Sequence, residues 1–196
     1  QVGHLERFNA AILAAEVHLI APRFIECQRL APFKERGTDV NVILDLMIHD
    51  IDIVQTIVGS PIETIDAVGT PVFSGAVDIA NARLRFVNGC VANVTASRVS
   101  LKTERKLRVF RDDAYVSIDL QQKILTVIRK RVAPCAAGEL PVTIEEQNFE
   151  QGDALLAEIE SFLDCIRTSR PPVVGGEEGL RALETAIRIT AQLSDG

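Results

Sequence analysis

From Ile62 to Lys130 the chain changes its hydrophobic period from that of a helix to strict alternation, and it keeps that alternation through six short stretches. The stretches are "ETIDAVGTPVF", "DIANARLRF", "CVANVTASRVS", "ERKLRVF", "AYVSIDL" and "KILTVIRK". Successive strand residues point to opposite faces, so each stretch makes a strand with one apolar side. Asn88-Gly89 between the second and third stretches is the strongest short hairpin signal a sequence offers; "RDDA" and "LQQK" supply weaker turns. Ala80, Ala82, Leu84 and Phe86 fall on one face with Ala92, Val94 and Ala96. Asn81, Arg83, Arg85, Asn93, Thr95 and Ser97 fall on the other. A sheet of this kind needs helices over its apolar face, and the flanking sequence supplies them.

Asn9 is positioned as the N-cap of a short helix through about residue 19, stopped by Pro22. "RFIECQRLAPF" reads as a strand and "KERGTD" as a polar loop. Asp39 is then the expected cap of a helix that ends at Gly59, with Pro61 behind it. After the sheet, "DALLAEIESFLDCIRTS" is an amphipathic helix, "RPPVVGGEEG" a loop and "LRALETAIRITAQL" a last helix. The fold class is α+β: a large, mostly antiparallel open sheet with helices on one face.

Composition narrows the function. A net charge of −6 opposes nucleic-acid binding, which needs a basic surface. The N-terminus is not signal-peptide-like, and no apolar run reaches the roughly 18 residues of a membrane span. Cys27, Cys90, Cys135 and Cys165 lie far apart without a Cys-x-x-Cys pair, which suits reduced thiols in the cytoplasm rather than a zinc site or disulfides.

"DLMIHDID", residues 45–52, sets three carboxylates and one of three histidines in an otherwise greasy helix. Asp45, His49 and Asp52 are spaced four and three apart and form one stripe. Ile43, Leu44, Met47, Ile48, Ile51, Val54 and Ile57 occupy most of the remaining circumference, so the helix is buried and the stripe faces a cleft, a partner or water. Three readings follow. Asp45 and His49 can be a surface pair worth about 0.2–0.5 kcal/mol. His49-Asp50 can be the metal dyad of an HD-type phosphohydrolase, with His18 or His4 as further ligands; that fold is all-helical, and the strands oppose it. Or His49 moves a proton and a nearby carboxylate fixes its tautomer.

"GHLERFN" at 3–9, "RFIECQRLAPF" at 23–33 and "GTDVNVILDLMIHDIDIVQTIVG" at 37–59, together with "EIESFLDCIRTSRPPVVGGEEGLRALETAIRI" near the end, resemble the Gfo/Idh/MocA family. These are relatives of glucose–fructose oxidoreductase and inositol dehydrogenase, and the chain is most similar to their nucleotide-sugar branch. The resemblance implies an NAD- or NADP-dependent oxidation of a sugar hydroxyl, with UDP-N-acetylglucosamine at C3 as the expected substrate. It implies that His49 relays the hydroxyl proton and that Asp45 orients the substrate or the imidazole. Arg29 becomes a candidate anchor for a sugar phosphate or hydroxyl, its planar fork suiting that task. His4, Arg7 and Asn9 become candidate linings of the cleft, with a helix cap (Asn9) and an ion pair to Asp50 or Asp52 (Arg7) as competing roles. His18 reads as an exposed helix-end residue.

The family pattern also includes a Gly-x-Gly-x-x-Gly turn and a Glu-Lys-Pro, and neither occurs in these 196 residues. The resemblance therefore assigns residues 1–8 to the last Rossmann strand and crossover, and 9–196 to the C-terminal substrate-binding and oligomerisation domain. It implies that the cofactor is held mainly by an N-terminal Rossmann domain absent from this chain, and that the chain alone is inactive. A non-catalytic oligomerisation or sugar-binding module is the alternative. The outward sheet face, short and polar at Asn81, Asn93, Thr95 and Ser97, is the expected homodimer or homotetramer surface, as the resemblance also implies.

Overall fold

The Asn88-Gly89 turn closes the hairpin the sequence marks, with Phe86 N–H donating to Cys90 O at 2.9 Å and Gly89 at φ +86°. Around it the structure, a computed structural model, describes residues 1–34, 39–131, 139–150 and 152–193. The loop expected at 34–39 lies mostly outside the described residues, as does Cys135.

Eight strands form one sheet: β1 (Phe24–Leu30), β2 (Ile62–Thr70), β3 (Ile79–Phe86), β4 (Val91–Ser97), β5 (Glu104–Phe110), β6 (Ala114–Asp119), β7 (Ile124–Lys130) and β8 (Val142–Asn148). Their order is β2-β3-β4-β1-β5-β6-β7-β8. β1 runs parallel to β4 and antiparallel to β5, so the early strand splits what the sequence presents as an unbroken meander. The α+β expectation holds: helices α1 (Ala10–Ala15), α2 (Ile48–Val58) and α4 (Gly176–Leu193) meet the apolar face. Ala82, Leu84, Ala92, Val94, Ile25 and Val109 rise from that face, fully buried, against Ile51, Val54 and Ile189. Burying each such Leu, Ile or Val is worth roughly 1.5–3 kcal/mol.

Several boundaries differ from the expected ones. Asn9 does cap α1, its side chain accepting from Ala11 N–H, but α1 stops at Ala15 and tightens into a 3-10 turn, Glu16–His18. The cap of the next helix is Asn41, not Asp39: Asn41 Oδ1 accepts from Leu44 N–H at 3.0 Å. A π-helical turn, Ile43–Met47, precedes α2, and Gly59 ends α2 at φ +58°. The eighth strand was not expected. Ser97, assigned to the open polar face, is 1% exposed and accepts from Val99 N–H.

Helix α3 (Ala154–Thr168) is the larger departure. Asp153 caps it through Leu155 and Leu156 N–H, yet α3 lies beside the N-terminal segment instead of on the sheet. Leu155, Leu156, Ile159, Phe162, Leu163 and Ile166 remain 42–61% exposed.

Candidate active site

Residues 4–9 and the start of α2 are drawn together by charge. Arg29, inward on β1, donates from Nε to Asp50 Oδ2 at 2.9 Å and from Nη2 to Asp50 Oδ1 at 2.8 Å. Its Nη1 reaches Glu6 Oε1 at 3.2 Å. Glu6 also accepts from Arg105 and from Asn9 Nδ2. Burial pulls the Arg29 guanidinium down, but the Asp50 and Glu6 carboxylates outweigh it and hold it above its ordinary value. Arg29 is 4% exposed. An arginine so enclosed has its fork engaged by two protein carboxylates, where the sequence expectation set it toward a sugar phosphate or hydroxyl.

The other candidates divide. Asn9 is 4% exposed; it caps α1 and donates to Leu120 O at 3.0 Å, so its polar atoms serve the fold. Arg7 donates to Thr56 Oγ1 and lies 3.5 Å from Asp52 Oδ2, the competing ion-pair role. Asp45 sits half-buried on the π-helical turn, and its carboxylate has no hydrogen bond or ion pair among the described residues. No hydrogen bond or ion pair joins it to His49. The imidazole's partner is His4 instead, Nδ1 to Nδ1 at 3.3 Å, with the rings nearly perpendicular. His49 Nε2 has no partner among the described residues.

Burial, then the charges of Arg29 and His4, press the His49 pKa down to about 4, against weaker support from Asp50 and Glu6. His49 is therefore a neutral imidazole at pH 7, able to accept a proton. Asp52, 1% exposed, goes the other way: burial pushes its carboxyl up, opposed by His4, Arg7 and Arg181. His18 is remote from this cluster; Arg129 Nη2 donates to its Nδ1 at 2.7 Å, and burial followed by Arg129 lowers its pKa. That placement removes His18 from any ligand set with His49. Burial raises the Cys27 thiol and takes Cys90 to about 11, so neither is a nucleophile.

A cavity of about 480 Å³ opens at the far end of α2, lined by Gln55, Gly59, Arg181 and Arg188 among others. His4, Asp45 and His49 do not line it, so side-chain chemistry, not cavity size, locates the candidate site. Sequence reasoning passed over Asp50 and Glu6 as site-building groups. The signal available was three acids on a buried helix, which need cationic partners.

Known proteins share this fold. The profile of the GFO/IDH/MocA C-terminal domain matches residues 12–117. The chain belongs to that family. UDP-N-acetylglucosamine 3-dehydrogenase of Acidithiobacillus ferrooxidans is 37% identical over 193 residues, 96% of this chain and 60% of that protein. Its solved structure superposes with a TM-score of 0.90 at 36% identity, over 98% of this chain and 62% of that one. Myo-inositol 2-dehydrogenase of Thermotoga maritima is 26% identical, over 72% of this chain and 43% of that protein. An oxidoreductase from Agrobacterium radiobacter, solved with NAD+, L-tartaric acid and magnesium, shares the fold alone. Its TM-score is 0.77 at 18% identity, over 100% of this chain and 63% of that one. The chain thus spans about three-fifths of the length of the family member it matches at 37% identity.

Proposed function

We propose that this chain is the substrate-binding and proton-transferring domain of an NAD(P)-dependent dehydrogenase that oxidises a nucleotide-sugar hydroxyl to a ketone, with UDP-N-acetylglucosamine oxidised at C3. The observation that carries this is the 37% identity to UDP-N-acetylglucosamine 3-dehydrogenase across 96% of the chain. The site is compatible with it. His49 presents an unpartnered Nε2 to take the hydroxyl proton, and Asp45 presents an unpaired carboxylate to accept hydrogen bonds from sugar hydroxyls. Arg29 and Asn9 hold the frame on which these two sit.

The residues present do not fit a dinucleotide. The sequence lacks the Gly-x-Gly-x-x-Gly turn that brings a pyrophosphate onto a helix N-terminus. NAD or NADP is therefore assigned to a nucleotide-binding domain outside residues 1–196, with residues 1–8 as the crossover into this one. The exposed apolar stripe of α3, beside that crossover, supports a docking place for such a domain. A homodimer or homotetramer through the outward sheet face is part of the same reading. Phe24, Phe110 and Tyr115 cluster there, with ring centroids 5.0–5.6 Å apart, on the same face as Asn81, Asn93 and Thr95. A cytoplasmic location suits the free thiols of Cys27, Cys90 and Cys165; among the described residues, no helix is long and apolar enough to cross a membrane.

The test is the full-length enzyme given UDP-N-acetylglucosamine, other nucleotide sugars and free cyclitols, each with NAD+ and NADP+. Reduced cofactor and a 3-keto product from UDP-N-acetylglucosamine are expected. Turnover of a free cyclitol alone would displace the nucleotide sugar, and no turnover of any of them would return the chain to a binding module.

A further inference from the structure

Two imidazoles stand where one proton fits between them. His4 Nδ1 and His49 Nδ1 are 3.3 Å apart, and the ring planes cross at 82°. Two ring nitrogens at that separation bond only if one carries the hydrogen and the other offers its lone pair. With both hydrogens inward they collide, and with both lone pairs inward they repel. His4 is buried, 5% exposed, while His49 is only partly so and keeps a way in for substrate.

Asp52 completes the arrangement. Its Oδ1 is buried without a hydrogen-bond partner, while Oδ2 has only a long contact, 3.5 Å, to Arg7. Among the groups that favour its charged form, His4 stands first, ahead of Arg7 and Arg181. A buried carboxylate oxygen without a partner, whose charged form the charge of His4 favours, favours a positive imidazole at His4 in return.

We propose that His4 is the proton acceptor behind His49, with Asp52 holding the charge that results. The proposal rests on the reading of His49 as the base for a substrate hydroxyl. In the resting pair His49 carries its hydrogen on Nδ1, donated to the lone pair of His4 Nδ1, and keeps a lone pair on Nε2. The substrate O–H bond breaks as the Nε2–H bond of His49 forms. The Nδ1–H bond of His49 breaks as the Nδ1–H bond of His4 forms. His49 leaves the step neutral with its tautomer exchanged, and His4 leaves it as an imidazolium whose counter-charge is Asp52. A nicotinamide acceptor, supplied from outside these residues in the proposed reaction, would take the hydride, and charge and atoms would then balance. The arrangement explains how a base held down by burial and by the charges of Arg29 and His4 can serve: it passes a proton on without ever having to keep one. His4 is thus a positioning and relay residue that acts through His49.

The charged groups acting on the arrangement are Arg29, Asp50 and Glu6 at His49, and Arg7 and Arg181, with His4, at Asp52. A pH profile must be read with all of them intact, so His4 is the residue to change. In the full-length enzyme His4→Phe keeps a ring and removes proton exchange. Its kcat is expected to fall by about 10- to 100-fold, within the usual worth of proton-transfer assistance. KM should stay within a few-fold, and the acidic limb of the kcat profile should move. Unchanged kcat and profile would overturn the relay, and so would a loss of kcat with the profile unmoved.

A second measurement does not depend on turnover. Nitrogen-15 NMR of the imidazoles in the 196-residue chain at pH 7 should show His49 protonated at Nδ1 and bare at Nε2, with His4 bare at Nδ1. In His4→Phe the His49 tautomer should change. A wild-type His49 protonated at Nε2 and bare at Nδ1 would refute the proposal even in an active enzyme. Absence of turnover with every sugar tested would instead refute the dehydrogenase reading.

Discussion

Arg29 on β1 grips Asp50 on α2 through two bonds, 2.9 Å from Nε and 2.8 Å from Nη2, with each side chain 5% exposed. That grip anchors to β1 the turn of α2 on which His49 sits. Removing one partner strands a buried charge on the other. Arg29→Met is expected to cost about 3–5 kcal/mol in urea unfolding. Arg29→Met combined with Asp50→Leu should recover most of the loss, because no lone charge remains. A single variant with full stability and a raised substrate KM would restore Arg29 as a phosphate anchor.

Stability should also depend on pH through His49. Its folded pKa, about 4, lies below the ordinary 6.5 of the unfolded chain. Between those values the unfolded state binds more protons, so stability is full above about pH 6.5 and is lost as pH falls toward 4. The loss amounts to as much as about 3 kcal/mol. His18 is shifted the same way and remains in both proteins, so the comparison is between wild type and His49→Asn. The gap between their unfolding free energies should shift in favour of the variant as pH falls. Parallel pH curves would mean that His49 is no harder to charge in the folded protein than in the unfolded one.

The sheet was legible because its determinants are local. Alternation and one Asn-Gly turn place β3 and β4 to within a residue at most ends. β8 escaped because "VTIEEQN" is an edge strand, exposed almost throughout, and carries the Glu145 and Glu146 that disfavour strand readings. Strand order was not legible either: nothing in the period of "FIECQRL" says that it will part β4 from β5. The site divides in the same way. Asp45 and His49 stand out from their own helix, but the contact of His4 with His49 joins residues 45 positions apart. Asn41 took the cap from Asp39 because the helix starts with a π-helical turn, whose register no spacing rule anticipates.

Association should follow from the outward face. A chain of 21.4 kDa that pairs through Phe24, Phe110, Tyr115 and the Asn81–Thr95 stripe should scatter light at twice that mass or more at micromolar concentration. Tyr115→Glu places a charge in that patch and should shift the protein toward monomer. A wild-type mass of one chain would remove the sheet-face interface.

His49 is the group proposed to take the substrate proton. The direct measurement is steady-state turnover of UDP-N-acetylglucosamine by the full-length enzyme and its His49→Asn variant. The account predicts a fall in kcat of about 10²–10⁴-fold with a much smaller change in KM, the mark of an interaction made in the transition state. A variant that keeps kcat within a few-fold of wild type would contradict it and leave the imidazole pair a structural feature of the helix.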